Sequence, residues 1–298
     1  MRFAVFVTLS AILCWSLLSV TGRVVLVRLQ IDPWLFGFLQ LCAGGLALLI
    51  VSGPGVGNLQ SFKRASTWII SGLRVLSATI YTVVVALISV LEAGTIASVN
   101  IPVLALVLWI MFSKRPGALE WAGHFIIAAA VILMTLQLEQ DLQIWAIGLM
   151  LLNAACLVAM HLLAEKHPEN TSDNFRDRFR FTGAVLLITA LLFAISRLGQ
   201  SGSFEGITDR NLLIASALVG VFLRAPAMVL AFWAIRLVGT QKYTAAIALL
   251  PIGGMAFEQS AVWLGLLDFS RFQVTHLGLS LVVIMGTFMT LAAKSAAK

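Results

Sequence analysis

Ala248-Leu249-Leu250-Pro251-Ile252-Gly253-Gly254-Met255-Ala256-Phe257-Glu258 is the stretch on which the reading of this chain turns. It lies inside an apolar run long enough to cross a bilayer as a helix, which takes ~20 residues. Proline removes a backbone donor and clashes with the preceding turn, so a helix must bend at Pro251. Gly253 and Gly254 follow and leave the backbone open to close approach. One turn past Gly254 comes Glu258, a carboxylate that hydrocarbon rejects. Pro251, Gly254 and Glu258 fall at helical spacing and share one face. A bend, a gap and a charge on one face read as the wall of a cavity. An earlier stretch, Ala97-Ser98-Val99-Asn100-Ile101-Pro102, resembles Ala246-Ile247-Ala248-Leu249-Leu250-Pro251 at an offset of 149. The pairing points to a chain built twice.

Composition sets the class. The 298 residues are 60% hydrophobic and 11% charged, whereas a soluble domain carries about 25% charged residues. Apolar runs recur along the whole length, so the expected fold class is an all-α polytopic membrane protein. Cys14, Cys42 and Cys156 all fall inside apolar runs and read as small packing residues, with neither a disulfide nor a metal site. The four histidines offer no metal-ligand spacing. No cleavable signal is expected, because the run from Phe3 to Gly22 is long enough to remain as a span. The net charge of +7 lies in loops, where membrane topology accounts for it better than nucleic acid does.

Ten spans are expected, at about 3–22, 33–51, 67–90, 94–112, 119–137, 144–164, 180–197, 211–234, 243–265 and 273–293. Gly53-Pro54-Gly55 ends the second, and Arg115-Pro116-Gly117 separates the fourth from the fifth. The polar stretch from Glu165 to Arg180 reads as a surface loop, and its Asn170-Thr171-Ser172 as a chance match to a glycosylation pattern. Orientation follows from the basic residues. Arg2, Lys63, Arg64, Lys114, Arg115, Lys166, Arg176, Arg178, Arg180, Arg236, Lys242, Lys294 and Lys298 fall on the face of the amino terminus. Arg23, Arg28, Arg197, Arg210 and Arg271 fall on the other, a balance of 13 against 5 that places both termini in the cytoplasm. Most tryptophans fall near span ends, as the interface favours, but Trp15 is mid-span and should face protein or a cavity.

The halves repeat in order. Leu9-Ser10-Ala11 matches Leu152-Asn153-Ala154, and Met134-Thr135-Leu136 closes one half as Met289-Thr290-Leu291 closes the other. Five spans is an odd number, so a second copy enters the membrane from the opposite side. Inverted repeats of this kind are a recurrent transporter plan, with the binding site near the midplane. With a proline in the fourth span of each unit, an alanine-rich approach to Pro102 and Pro251, and Gly123 and Gly278 opening each last span, the chain resembles the drug/metabolite transporter superfamily. The likeness is to its ten-span EamA-type members and covers essentially the whole length. It implies ten helices in two inverted five-helix repeats, 1–140 and 141–298, in a bacterial-type inner membrane. It also implies export of small metabolites, amino acids being common among such members. One departure stands out: an arginine is frequent early in the second span of a unit, and Arg180 fits, but Gln40 holds the matching place in the first half.

Arg74 and Arg224 lie inside spans at an offset of 150, and each costs about 2.5–3.5 kcal/mol on insertion scales, so each needs a partner. Either they snorkel or bind carbonyls at a kink, as Pro226 would allow for Arg224, or they face a substrate. Arg74, Ser77 or Ala78, and Tyr81 share a face; a guanidinium, a hydroxyl and a phenol there suit the carboxylate and a polar group of a small ligand. Glu258 has three open readings: an ion pair with Arg224, a proton site, or a contact for a substrate amine. Asn100, beside Pro102, is a further cavity candidate, while Asn153 reads as a hydrogen-bonder between helices. His124 and His161 read as interfacial or interhelical.

No phosphate loop, paired carboxylates or nucleophile beside a base occurs, so neither an enzyme nor a cofactor is expected. The loops are too short for a nucleotide-hydrolysing domain, and transport would run on a gradient. The expectation is a secondary transporter working by alternating access, with Pro102, Pro251, Gly253 and Gly254 as hinges. Two cavity arginines against one glutamate favour a carboxylate-bearing solute such as an amino acid. Phosphorylated sugars or nucleotide derivatives are the alternative within transport, and a membrane scaffold without transport is the alternative outside it. The partners expected are the solute and the lipid bilayer, with no nucleic acid. The glycine pairs serve contacts within one chain as well as between two, so oligomeric state stays open.

Overall fold

The computed structural model describes residues 2–53, 60–88, 90–200, 203–270 and 274–296. Pro54, Gly55, Arg271 and Lys298, which enter the expectations above, lie outside them. The described residues form helices and no strand. Eight helical stretches among them are long and apolar enough to cross a membrane. The fold is all-α and of the polytopic membrane kind.

Helix α1 spans Arg2–Leu29 and α2 spans Pro33–Ser52. Asp32 caps α2, its side chain accepting from the amides of Trp34 and Leu35 at 2.7 and 3.0 Å, with Pro33 in the first turn. These contacts satisfy donors that a helix start leaves open. Short α3 (Gln60–Lys63) precedes α4 (Ala65–Leu87). Then come α5 (Val90–Ala97), α6 (Asn100–Phe112) and α7 (Ala118–Leu136). The second part runs through α8 (Gln140–Glu165), short α9 (Pro168–Thr171) and α10 (Phe175–Gln200). After them stand α11 (Arg210–Val219), a π-helical turn over Gly220–Arg224, α12 (Ala225–Ile247), α13 (Leu250–Trp263) and α14 (Val274–Ala296).

Three departures from the expected spans have clear causes. First, α1 runs on to Leu29, carrying Arg23 and Arg28 into the helix instead of a loop. Second, the polar stretch after Glu165 lies at the surface, with Lys166, Pro168, Thr171, Asp173, Asn174 and Arg176 exposed, but it forms short helix α9 and is anchored by buried side chains. Asn170 is 1% exposed, and its Nδ2 donates to the carbonyls of Ala164 and Phe232 at 2.9 and 3.1 Å. Third, the prolines interrupt their helices instead of bending them. The turn breaks at Ser98-Val99 before Pro102, and at Ala248-Leu249 before Pro251. Tight three-residue bonds take over there, from the amides of Ser98 and Val99 to Thr95 and Ile96, and from those of Ala248 and Leu249 to Ala245 and Ala246. A proline cannot donate, and its ring crowds the carbonyl one turn back, so the chain tightens before it. Each break is preceded by a second one. The α4 helix ends at Leu87 with Ile88 extended, and α12 carries a non-helical Gly239 at φ +81°. An eight-residue segment is thereby set off in each half, residues 90–97 (α5) and residues 240–247 of α12.

Packing is reciprocal between the two parts of the chain. Helix α2 lies against α10, and α7 against α14. Helix α1 packs on α12 and α13, as α8 packs on α4 and on α5 and α6. Helix α2 also meets α11 and the π turn, as α10 meets α4. Glycine makes the closest of these contacts. A Cβ on Gly220 would stand 2.4 Å from the Gln40 carbonyl oxygen, and one on Gly44 would stand 2.7 Å from that of Gly220. Gly123 and Gly286 bring α7 and α14 together in the same way. Membrane helices associate through such small-residue contacts because lipid offers them no hydrophobic drive.

The connector between α8 and α10 is tied back to the segment before α4. Glu169 accepts from Ser61 and pairs with Arg64 at 3.3 Å, while His167 Nε2 lies 3.2 Å from Thr67 Oγ1 and its ring stacks on Phe181 at 4.1 Å. Burial, helped by the positive charge of Arg64, pushes His167 from 6.5 down to about 4. A histidine held neutral in the fold and free to charge when unfolded stabilises the fold above its unfolded value. That contribution is lost as pH falls from about 6.5 towards 4. Thermal melts of wild type and H167Q in detergent should show this: the wild-type melting temperature falls across that window more steeply than that of H167Q. Separately, G220A should lower stability by ~1–3 kcal/mol through overpacking against α2, while G148A, where a Cβ meets nothing within 4 Å, should leave it unchanged.

Candidate functional site at Trp15

Two guanidiniums from distant parts of the chain converge on one indole. Arg74, from the middle of α4, stands 5.3 Å from the Trp15 ring centre, and Arg224, at the end of the π turn, stands 5.5 Å from it. Arg224 also donates from Nε and Nη2 to Gln40 Oε1 at 3.3 and 3.2 Å. The π turn accounts for this placement. Pro226 cannot donate, the helix widens by one residue, and the Ala225 amide reaches back to the Gly220 carbonyl. Bulges of this type re-aim side chains and recur at functional sites. The glycine contact between Gly220 and α2 then brings Gln40 within reach of Arg224 one turn later.

Around this centre stand further polar groups. Tyr243 lies beside both Arg74 and Trp15. The ring of His161 meets that of Tyr243 edge-on at 5.3 Å, and His161 Nδ1 is 3.4 Å from Thr244 Oγ1. Ser77 donates to Asn153 Oδ1 at 2.6 Å. Among the described residues neither Arg74 nor Arg224 forms an ion pair with an acid, yet both side chains keep partial exposure deep in the bundle. The Trp15 ring engages both guanidiniums, and the Gln40 amide oxygen engages that of Arg224 as well. The cluster is cationic and can hold an anion by charge-assisted hydrogen bonds.

The other candidates distribute as follows. Trp15, expected to face protein or a cavity, is the hub. Ser77 is buried next to Arg74's helix turn but spends its hydroxyl on Asn153. Tyr81 shares that helix yet packs into a second apolar cluster with Ile88, Ala93 and Val283. Asn100 is buried at the α5–α6 break, its side-chain oxygen without a hydrogen-bond partner among the described residues. Glu258 is not brought to Arg224. Its Oε1 lies 2.6 Å from Arg23 Nη1 and accepts from Ser270 at 3.1 Å. Of the hinge candidates, Pro251 abuts Gly94, where a Cβ would come within 3.2 Å of its ring, and Gly253 abuts Ser16. Ser16 in turn donates to the Leu250 carbonyl at 3.4 Å. Gly254 has nothing within 4 Å of its Cβ direction.

Gln40, Tyr243 and His161 belong to the centre and were missed as site residues. Gln40 carries a signal in the sequence, an amide where an arginine is frequent, but a lone amide in an apolar run gives no direction. The Arg23–Glu258 pair was hidden because Arg23 reads as a loop residue.

No family model matches the chain, and no curated protein matches it. Solved structures do match. One crystal structure of a protein aligns over 98% of this chain and 98% of its own, with a TM-score of 0.64 at 18% identity. At that identity the likeness carries the fold alone.

Arg23 and Glu258 tie the far end of α1 to α13, and their energies should be coupled. E258Q and R23Q should each lower the melting temperature in detergent, and the double variant should fall short of their sum by a coupling of ~0.5–3 kcal/mol. Strict additivity would show that the pair contributes nothing.

Proposed function

We propose that this chain is a secondary transporter of small anionic solutes, built as ten spans in two inverted five-helix repeats, 1–140 and 141–298. The reciprocal packing supports the repeat: exchanging α1 with α8, α2 with α10, α4 with α11–α12, α5–α6 with the end of α12 and α13, and α7 with α14 returns the main pairings, α2 on α10, α7 on α14, and α1 on α12–α13 for α8 on α4–α6. The eight-residue segments at an offset of 150 support it further. In this reading the chain is similar to EamA-type members of the drug/metabolite transporter superfamily. It sits in a bacterial-type inner membrane with both termini in the cytoplasm, as the basic residues favour.

One observation carries the functional reading. Arg74 and Arg224, also 150 residues apart, meet at Trp15, and among the described residues no acid pairs with either. Two buried positive charges without a counter-ion are costly. A site that is periodically occupied by an anion and otherwise wetted resolves that cost. The solute bears at least one carboxylate, amino acids among the candidates, and the broken helices at Pro102 and Pro251 supply the moving walls. Export is the direction the family likeness implies.

The ion pair of Glu258 with Arg23 favours a second reading within the same class. It removes the acid that would have met a substrate amine and leaves a centre that suits a doubly charged group, such as the phosphate of a sugar or nucleotide derivative. Uptake into proteoliposomes of a panel of radiolabelled amino acids, dicarboxylates and phosphate esters separates the two. R224Q and R74Q should each lower transport of the accepted anion by tenfold or more, as loss of one charge-assisted contact of ~1.5–3 kcal/mol requires. Unchanged transport in both variants would remove the site assignment.

A further inference from the structure

We propose that Arg178 is the centre of a binding site for the phosphate of an anionic membrane phospholipid. The proposal needs the membrane fold and is independent of the transport reading. Arg178 closes the first turn of α10 and is 8% exposed. Its guanidinium lies against two rings, 4.7 Å from the centre of Phe175 and 5.0 Å from that of Trp233 on α12. Phe175 meets Trp233 edge-on at 5.3 Å, and Phe3 of α1 meets it at 5.4 Å, so three helices build one aromatic patch around the arginine.

Hydrogen-bonding capacity is left over at this side chain. Nε and Nη1 of Arg178 are sealed from solvent, and among the described residues neither has a hydrogen-bond partner. The rings offset part of the charge but offer no oxygen to the N–H groups. A buried donor left unmade is costly, so the guanidinium calls for an acceptor from outside the chain. The neighbouring acids are engaged with other arginines: Asp173 pairs with Arg236 at 2.6 Å, and Asp177 with Arg180 at 3.3 Å. Arg176 is exposed. Residues 173–180 together with Arg236 therefore set four arginines against two aspartates, a surplus of two positive charges.

Two features select a lipid over a soluble anion. Phe3, Phe6 and Phe175 are exposed, so the arginines are flanked by apolar surface that suits acyl chains. The site also stands at the end of the bundle where the basic residues of the chain gather, with a tryptophan among them. That is the composition of the headgroup level of a bilayer, where basic pockets between helices take anionic headgroups. Nη2 belongs to both forked edges of a guanidinium, and it is not sealed as Nε and Nη1 are. A phosphodiester that approaches Nη2 reaches Nη1 or Nε with its second free oxygen once the exposed Phe175 ring turns aside. The surplus of positive charge favours a headgroup without a compensating ammonium, as in phosphatidylglycerol.

Native mass spectrometry of the full chain, released from detergent carrying equal amounts of phosphatidylglycerol and phosphatidylcholine, tests the site. Wild type should retain one phosphatidylglycerol on the order of tenfold better than phosphatidylcholine. R178Q should lose that preference, and K114Q, at an exposed lysine of the same basic end, should keep it. Equal retention of the two lipids by wild type would overturn the proposal, as would an undiminished preference in R178Q. R178K covers failure of R178Q to fold. Lysine keeps the charge but loses the fork, so the preference should fall several-fold; a preference equal to that of wild type would overturn the forked contact. Thermal melts of wild type separate the two sources of phosphate. Phosphatidylglycerol should raise the melting temperature, and inorganic phosphate at the same concentration should not. Equal stabilisation by inorganic phosphate would overturn the lipid assignment.

Discussion

A guanidinium inside an apolar helical bundle must be neutralised, hydrogen-bonded or wetted, and the rest of this structure follows from how Arg74 and Arg224 meet that constraint. Among the described residues no acid neutralises them. They share the face of one indole, one of them takes an amide oxygen, and both keep partial exposure. The acid nearest in expectation, Glu258, is spent on Arg23. What remains is concentrated positive charge where the surrounding bundle is apolar, and such charge is stable only with water or an anion beside it.

Backbone devices put those charges in place. Close glycine contact between α2 and the π turn sets Gln40 against Arg224, and the π turn itself aims that arginine inward. Paired interruptions isolate α5 and the last eight residues of α12, leaving each attached by two weakened joints. Contacts of Pro251 with Gly94 and of Gly253 with Ser16 then connect these segments to α1 and its tryptophan. Closely packed pairs such as α2 with α10 and α7 with α14 complete the bundle. The layout combines packed helix pairs, short broken segments and a charged centre.

Much of this was legible in the residues. Apolar runs gave the helical membrane class, and Pro102 and Pro251 marked the two broken helices. Trp15 and the arginines at matching positions marked the centre. Other features were not legible, for physical reasons. Helix length past an arginine depends on tertiary partners, so α1 was read short and the partner of Glu258 was misplaced. A proline signals disruption but not its form, and the choice between a bend and a break rests on how neighbouring carbonyls are re-bonded. Shared helical spacing put Tyr81 with Arg74, whereas packing sends it to another cluster, since two turns of helix are long enough to pass from one neighbour to the next. Asn170 looked like loop surface because its polarity was visible and its buried backbone partners were not.

The central claim is that the Trp15 centre meets water, and thiol labelling at the arginine itself tests it most directly. R224C, made in a background without Cys14, Cys42 and Cys156, would be treated with a membrane-impermeant cationic thiol reagent applied to each side of the membrane in turn. The account predicts modification from at least one side. Complete protection from both sides in folded protein would contradict it.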